Sequence, residues 1–188
     1  MPMRVDFVET ELPGVLEVHT QIARDDRGFF TELHSQRAWS AAGLVTEFVQ
    51  DNLSESRRGV LRGLHYQIDP HAMGKLVRVL TGAIFDVAVD LRRGSPTFGK
   101  WIGRELSADR QIALWVPAGF GHGFLALADH SLVLYKCTGF HVPDAERSLN
   151  FADPEIGVDW PFAPEHLSGK DAEAPMLAQA DYNFKYTE

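Results

Sequence analysis

The sequence predicts an all-β fold, an antiparallel sandwich or barrel carrying a few short accessory helices. Three observations lead there: short apolar runs with period-two alternation, glycine and proline punctuation spread along the whole chain, and little helical periodicity. The clearest alternation is 83–91, which sets Phe85, Val87, Val89 and Leu91 on one face and Asp86 and Asp90 on the other. Further strands are read at 76–81, 112–116, 123–127 and 132–137, and 54–67 reads as a strand with unusual side chains. One helix is legible early: Ser35 is its N-cap, 37–42 its alanine-rich turn, and Gly43 its stop. The tail, 161–188, carries Pro161, Pro164 and Pro175 and reads as short helical turns laid over the barrel.

With 188 residues, 45% hydrophobic and 23% charged, the chain has enough apolar material for one core and too little polar bias for disorder. No repeat or linker divides it. It is therefore read as one unit, 1–188, with N-terminal strands and a helix over 1–50, the barrel core over 51–150, and a covering segment over 151–188. No run approaches the roughly 18 apolar residues of a membrane span. The acidic, interrupted start MPMRVDFVETELPG is unlike a signal peptide, so a cytoplasmic protein without a membrane partner is expected. The single cysteine, Cys137, excludes an internal disulfide framework and fits a reducing compartment. Eighteen Lys and Arg against 26 Asp and Glu give a net charge of −8, which offers no basic field to nucleic acid. An anionic ligand would need local positive charge, and the densest supply is Arg57, Arg58, Arg62, Lys75 and Arg78.

The eight histidines lack the i, i+2 and i, i+4 spacings of common metal sites, so no metal is expected. No G-x-S-x-G elbow, P-loop or helix-opening G-x-G-x-x-G occurs. The glycine-rich stretch 119–123 sits between strand candidates and reads as a tight turn, leaving His122 and Phe124 to face an occupant or simply closing the barrel. As a strand, 61–67 places His65 and Gln67 on one face with Gly63, whose missing side chain would leave room for a ligand. Lys75 follows ten residues after His65. An imidazole and an ammonium beside one cavity suit removal of a proton alpha to a carbonyl, the base taking the proton and the cation stabilising the enolate. A solvated basic strand edge would carry the same residues, and spacing alone favours it. Tyr135 shares its face with Val133 and Cys137 and points inward, either as core or as an acid across a ligand from His65.

In order along the chain stand DRGFFTE at 26–32, QDNLS at 50–54, RGVLRGLHYQ at 58–67, Gly74-Lys75, FDVAVDLR at 85–92 and PAGFGHGF at 117–124. Tyr135-Lys136, DPE at 153–155, DWP at 159–161 and SGKD at 168–171 follow. Together they resemble the dTDP-4-dehydrorhamnose 3,5-epimerases, deoxysugar-nucleotide epimerases with a cupin-type jelly-roll barrel, over nearly the whole length. The resemblance implies that His65 removes the C3 and C5 protons of a dTDP-4-keto-6-deoxyhexose, that Asp171 orients it, that Lys75 stabilises the C4 enolate, and that Tyr135 delivers a proton from the other face. It implies substrate binding by Arg27, Phe29, Glu32, Gln50, Asn52, Arg62, His122, Glu146 and Lys170. It also implies no metal or organic cofactor, and a homodimer whose exchanged N-terminal strands bring Arg27 and the Phe29 region to the neighbour's pocket. The implied reaction converts dTDP-4-dehydro-6-deoxy-D-glucose to dTDP-4-dehydro-L-rhamnose. Phe140 and His141 stand where the family typically has two tyrosines, and Asn150 where an arginine is common. A mono-epimerase on a related 4-keto sugar therefore stays open, as do a non-catalytic sugar-binding jelly roll and a metal-dependent cupin.

Overall fold

The structure, a computed structural model, describes residues 3–44 and 47–187, so the first two residues of the N-terminal stretch lie outside it. The early elements are β1 (Val5–Glu9), β2 (Leu16–Thr20), the hairpin β3 (Ile22–Asp25) and β4 (Gly28–Thr31), and α1 (Gln36–Ala41). Then come β5 (Gln50–Ser56), β6 (Leu61–Gln67), β7 (Lys75–Thr81), β8 (Ala83–Asp90), β9 (Trp101–Ser107), β10 (Ile112–Val116), β11 (Phe120–Ala126), β12 (Ser131–Cys137), β13 (Glu146–Ser148) and α2 (Gly169–Ala172). One sheet has the order β1-β2-β10-β7-β12-β5 and the other β13-β6-β11-β8-β9, while β3 and β4 pair apart. From β5 onward the chain passes back and forth between the two sheets, and the result is an antiparallel jelly roll with two short helices, in accord with the predicted class.

α1 forms where its cap chemistry allows: the Ser35 hydroxyl accepts from the Ala38 N–H, and Gly43 leaves the helix at φ +79. Its Trp39 is buried against Val18, Leu76, Ala113 and Trp115 on the outer face of the six-stranded sheet. A second apolar layer, with Val77, Val79, Ile84, Ala88, Leu114, Phe124 and Val133, fills the space between the sheets. A third joins Leu64, Val87, Val89 and Leu91 on the outer face of the five-stranded sheet to Leu149, Ile156, Leu177 and Phe184 from the chain's last 40 residues. Each such side chain contributes about 1.5–3 kcal/mol when fully buried, so the tail is held firmly although it contains little regular structure. Both faces of β8 are therefore covered, and Asp86 and Asp90, on the face opposite Val87 and Val89, are buried.

Two expectations about glycines change. The stretch 119–123 is mostly the opening of β11 rather than a turn between strands; Gly119 alone of its three glycines has positive φ. Nor does Gly63 leave room for a ligand. A Cβ there would lie 2.4 Å from the Gly123 Cα and 2.9 Å from the His122 carbonyl oxygen, on a backbone at φ +131. The two glycines let β6 and β11 approach more closely than side chains permit. Gly63→Ala is accordingly expected to cost about 3 kcal/mol or more, read as a lowered denaturant midpoint. A wild-type midpoint would show that the strands can separate without cost.

Candidate active site

β6 and β11 carry the five-stranded sheet's contribution. His65 and His122 are paired in register across them, and β13 places Glu146 opposite Gln67. The six-stranded sheet answers with two rows: Lys75, Cys137 and Gln50 side by side, and next to them Val77, Tyr135 and Asn52. Between the sheets lies a cavity of about 340 Å³, lined by His65, Lys75, His122, Tyr135, Gln50, Asn52 and Glu146 among others. A smaller hollow of about 60 Å³ shares His65, Lys75, His122 and Tyr135 and adds Arg62 and Phe124. His65 and Tyr135 thus reach one space from opposing sheets.

His65 Nε2 is 2.5 Å from an oxygen of Asp171, 106 residues away. Asp171 sits in α2, where the Ser168 hydroxyl accepts its backbone N–H. Burial alone would raise the Asp171 carboxyl. The hydrogen bond and charge of His65, with help from Ser168 and the Gly63 backbone, bring it below the ordinary carboxylate range instead. An ionised carboxylate on one ring nitrogen leaves the other for a ligand and stabilises the imidazolium formed on proton uptake. His122 has a comparable partner, Nε2 lying 2.9 Å from Asp86 Oδ1 with both side chains buried. Burial pushes the Lys75 ammonium down, against the opposing influence of Cys137, Glu146 and Asp86. Burial also raises the Tyr135 hydroxyl, which stays protonated at neutral pH. A base backed by a carboxylate, a cation and a protonated phenol around one hollow can enolise a carbonyl compound and return a proton to it.

Other residues named from the sequence fall differently. Arg62 donates to the Ser56 hydroxyl and the Glu55 carbonyl, which holds its guanidinium at the edge of the smaller hollow. Lys170 is drawn to Glu146, with Nζ 2.6 Å from Oε2. Of the five cations expected to form the anion site, only Arg62 and Lys75 line these two hollows. Arg57 is exposed, Arg58 lies over the Phe162 ring, and Arg78 is buried on the outer face, donating to the Gln111 carbonyl, its guanidinium lowered to about 10 by burial. Arg27, Phe29 and Glu32 do not line this chain's cavity: they belong to or flank the β3–β4 hairpin, where Arg27 pairs with Asp25 and Phe29 is exposed. Among the described residues no group of three or more His, Cys, Asp or Glu is placed to hold a metal ion. The sequence reading did not assign roles to Asp86, Ser168 or His141. The alternation of 83–91 was the available signal for Asp86, and the S-x-x-D spacing of 168–171, a helix N-cap pattern, was the local signal for Ser168.

The family described as dTDP-4-dehydrorhamnose 3,5-epimerase matches residues 9–179. A protein of that name from Pseudomonas aeruginosa is 52% identical over 172 residues, covering 90% of this chain and 94% of its own. Its namesake from Shigella flexneri is 46% identical over 179 residues, covering 95% and 99%. Among solved structures, the Legionella pneumophila dTDP-6-deoxy-D-glucose-3,5-epimerase in complex with dTDP-4-keto-L-rhamnose superposes with a TM-score of 0.90 at 43% identity, covering 95% of each chain. Likeness of this extent in both sequence and backbone leaves one conclusion: this chain belongs to the dTDP-4-dehydrorhamnose 3,5-epimerase family.

Proposed function

We propose that this chain epimerises dTDP-4-dehydro-6-deoxy-D-glucose at C3 and C5 to dTDP-4-dehydro-L-rhamnose without a cofactor. The observation that carries the reading is the approach of His65 and Tyr135 to one cavity from opposite sheets. His65 takes the proton at C3 or C5, and the C–H electron pair enters a C–C double bond to C4 as negative charge passes to O4. Lys75 stabilises that oxyanion. Tyr135 gives its hydroxyl proton to the opposite face of the flat carbon, so the configuration inverts, and exchange with solvent then removes the proton from His65 and returns one to Tyr135. General acid and base contributions of roughly 10² to 10⁴ each suit such a step. The cavity, near the small end of ligand sites, accommodates the sugar, with the nucleotide extending outward. Gln50, Asn52, Arg62, His122, Glu146 and Lys170 are read as the substrate's polar partners.

The names borne by the relatives favour double over single inversion and catalysis over mere sugar binding. Incubation with dTDP-4-keto-6-deoxyglucose in D₂O should yield the L-sugar with deuterium at C3 and C5 by NMR. Label at one carbon would mean a mono-epimerase, no label a binding module, and loss of activity with a chelator a metal-dependent cupin. Asp171→Asn should lower kcat by about 10²-fold or more with little change in KM, because an amide supports the wrong tautomer and does not stabilise imidazolium. Unchanged turnover would remove Asp171 from the mechanism.

We read Arg27, Phe29 and Glu32 as reaching the pocket of a second copy in a homodimer with exchanged N-terminal strands. Phe29 and Phe30 are 55% and 65% exposed on one hairpin, apolar surface of the kind a partner covers. The cupin-type ancestry of the jelly roll and a cytoplasmic location complete the reading.

A further inference from the structure

The last residues of the chain meet the cavity wall through one guanidinium. Arg92 follows β8, and Asp90 fixes one edge of its side chain: Nε donates to Oδ1, and Nη2, 2.8 Å away, to Oδ2. Asp90 is fully buried and also accepts from the hydroxyls of Ser95 and Thr97. Burial would raise its carboxyl, but these donors bring it below the ordinary carboxylate range, so the pair is ionised. Nη2 donates in addition to the Pro13 carbonyl, which leaves the guanidinium little freedom to turn.

Two aromatic rings lie against the guanidinium held in this way. Its Cζ is 4.3 Å from the centre of the Phe120 ring and 5.1 Å from that of Tyr186. Gly119, at φ +94, makes room for this packing, since a Cβ there would lie 2.7 Å from Arg92 Cγ. Phe120 opens β11, is buried, and lines the larger cavity beside Val116 and Pro117. It does not border the smaller hollow, where His65, Lys75, His122 and Tyr135 meet. Tyr186 comes from the tail, which is zipped to the Arg92 loop: the Arg93 N–H donates to the Phe184 carbonyl and the Tyr186 N–H to the Arg93 carbonyl. Among the described residues nothing beyond Glu146 lines either hollow, so the tail touches the wall only from behind. Its other contact there, of Asp181 and Phe184 with Tyr66, is separate and stays in place in the variants below.

Resting on the proposed turnover of a nucleotide sugar in this cavity, we propose that Arg92 is a positioning residue: held by Asp90 and backed by Tyr186, it fixes the Phe120 ring as a rigid part of the cavity wall. The C-terminal tail thereby contributes to substrate affinity. A cation is attracted to the face of a ring, and a flat guanidinium hydrogen-bonded along its edge orients that ring as a single ammonium cannot. Because Phe120 lies outside the smaller hollow, loosening it acts on the seating of the substrate rather than on proton transfer.

Steady-state kinetics with dTDP-4-keto-6-deoxyglucose, run well below each variant's unfolding midpoint, test this. Y186A should raise KM about three- to tenfold, the size of one cation–π contact, with kcat within about twofold of wild type. Y186F, which keeps the ring, should restore the wild-type KM. R92K keeps a charge for Asp90 but not the flat, two-point hold, and should raise KM at least as much as Y186A. Y182A removes a tail aromatic that packs on Phe98 and Arg93 instead, and should lower the unfolding midpoint without moving KM. A wild-type KM in folded Y186A or R92K, or an equal rise in Y182A, overturns the assignment while leaving the reaction intact. If R92K does not fold, Y186A, whose change strands no buried charge, decides alone. An inactive wild-type chain overturns the proposed reaction and this inference with it.

Discussion

His65→Ala should abolish deuterium incorporation at both C3 and C5, with turnover reduced by about 10³-fold or more, while affinity for dTDP stays within a few-fold. The size follows from losing the general base outright, and the split follows from geometry. His65, bonded to the buried Asp171 carboxylate, faces Tyr135 across the hollow, whereas His122, bonded in a comparable way to Asp86, is read as a substrate-binding group and Lys75 as the group at the enolate oxygen. The Ala variant also leaves the Asp171 carboxylate without its imidazole, so unfolding should be measured alongside activity; His65→Asn, which fills more of the space, is the companion variant. Exchange at either carbon in a folded variant would mean that another base reaches the sugar. A retained signal at only one carbon would assign the two abstractions to different groups.

Tyr135→Phe should separate proton removal from inversion. The substitution keeps the ring and removes only the hydroxyl, so β12 keeps its packing beside Val77 and Asn52. Proton abstraction by His65 continues, and label from solvent returns through the same imidazole with retention. The yield of inverted product should fall by about 10²-fold or more, the usual size of a lost general acid. Wild-type exchange with little inverted product is the expected NMR outcome. A full yield of L-sugar would take Tyr135 out of the mechanism and make a bound water the proton donor.

Both predictions turn on distance in the chain becoming proximity in space. Strand propensity, cap chemistry and alternation are properties of a few neighbouring residues, and these were legible. α1 ends where Ser35 and Gly43 place it, and β7, β8, β10 and β12 lie within a residue of their expected limits. β9 was overlooked, although its Ile102 and Leu106 alternate inward. Gly63 was misread because its neighbour is Gly123, 60 positions on, and only the pairing of β6 with β11 shows that backbone fills the space. The same holds for the arginines: Arg78 alternates to the outer face of β7 and Lys75 to the inner, which residue counting along a basic run does not reveal.

The amino-acid sequence by itself determined the all-β class, the first helix, the inward orientation of Tyr135 and, through its ordered motifs, the family and the chemical types at the site. The tertiary structure decided which residues share the hollow, that His65 and Tyr135 enter it from opposing sheets, that Asp171 backs one imidazole and Asp86 the other, and that His141 lines the cavity. The division has a physical cause. A jelly roll sends successive strands to alternate sheets, so the backbone hydrogen bonds that set register join segments tens of residues apart.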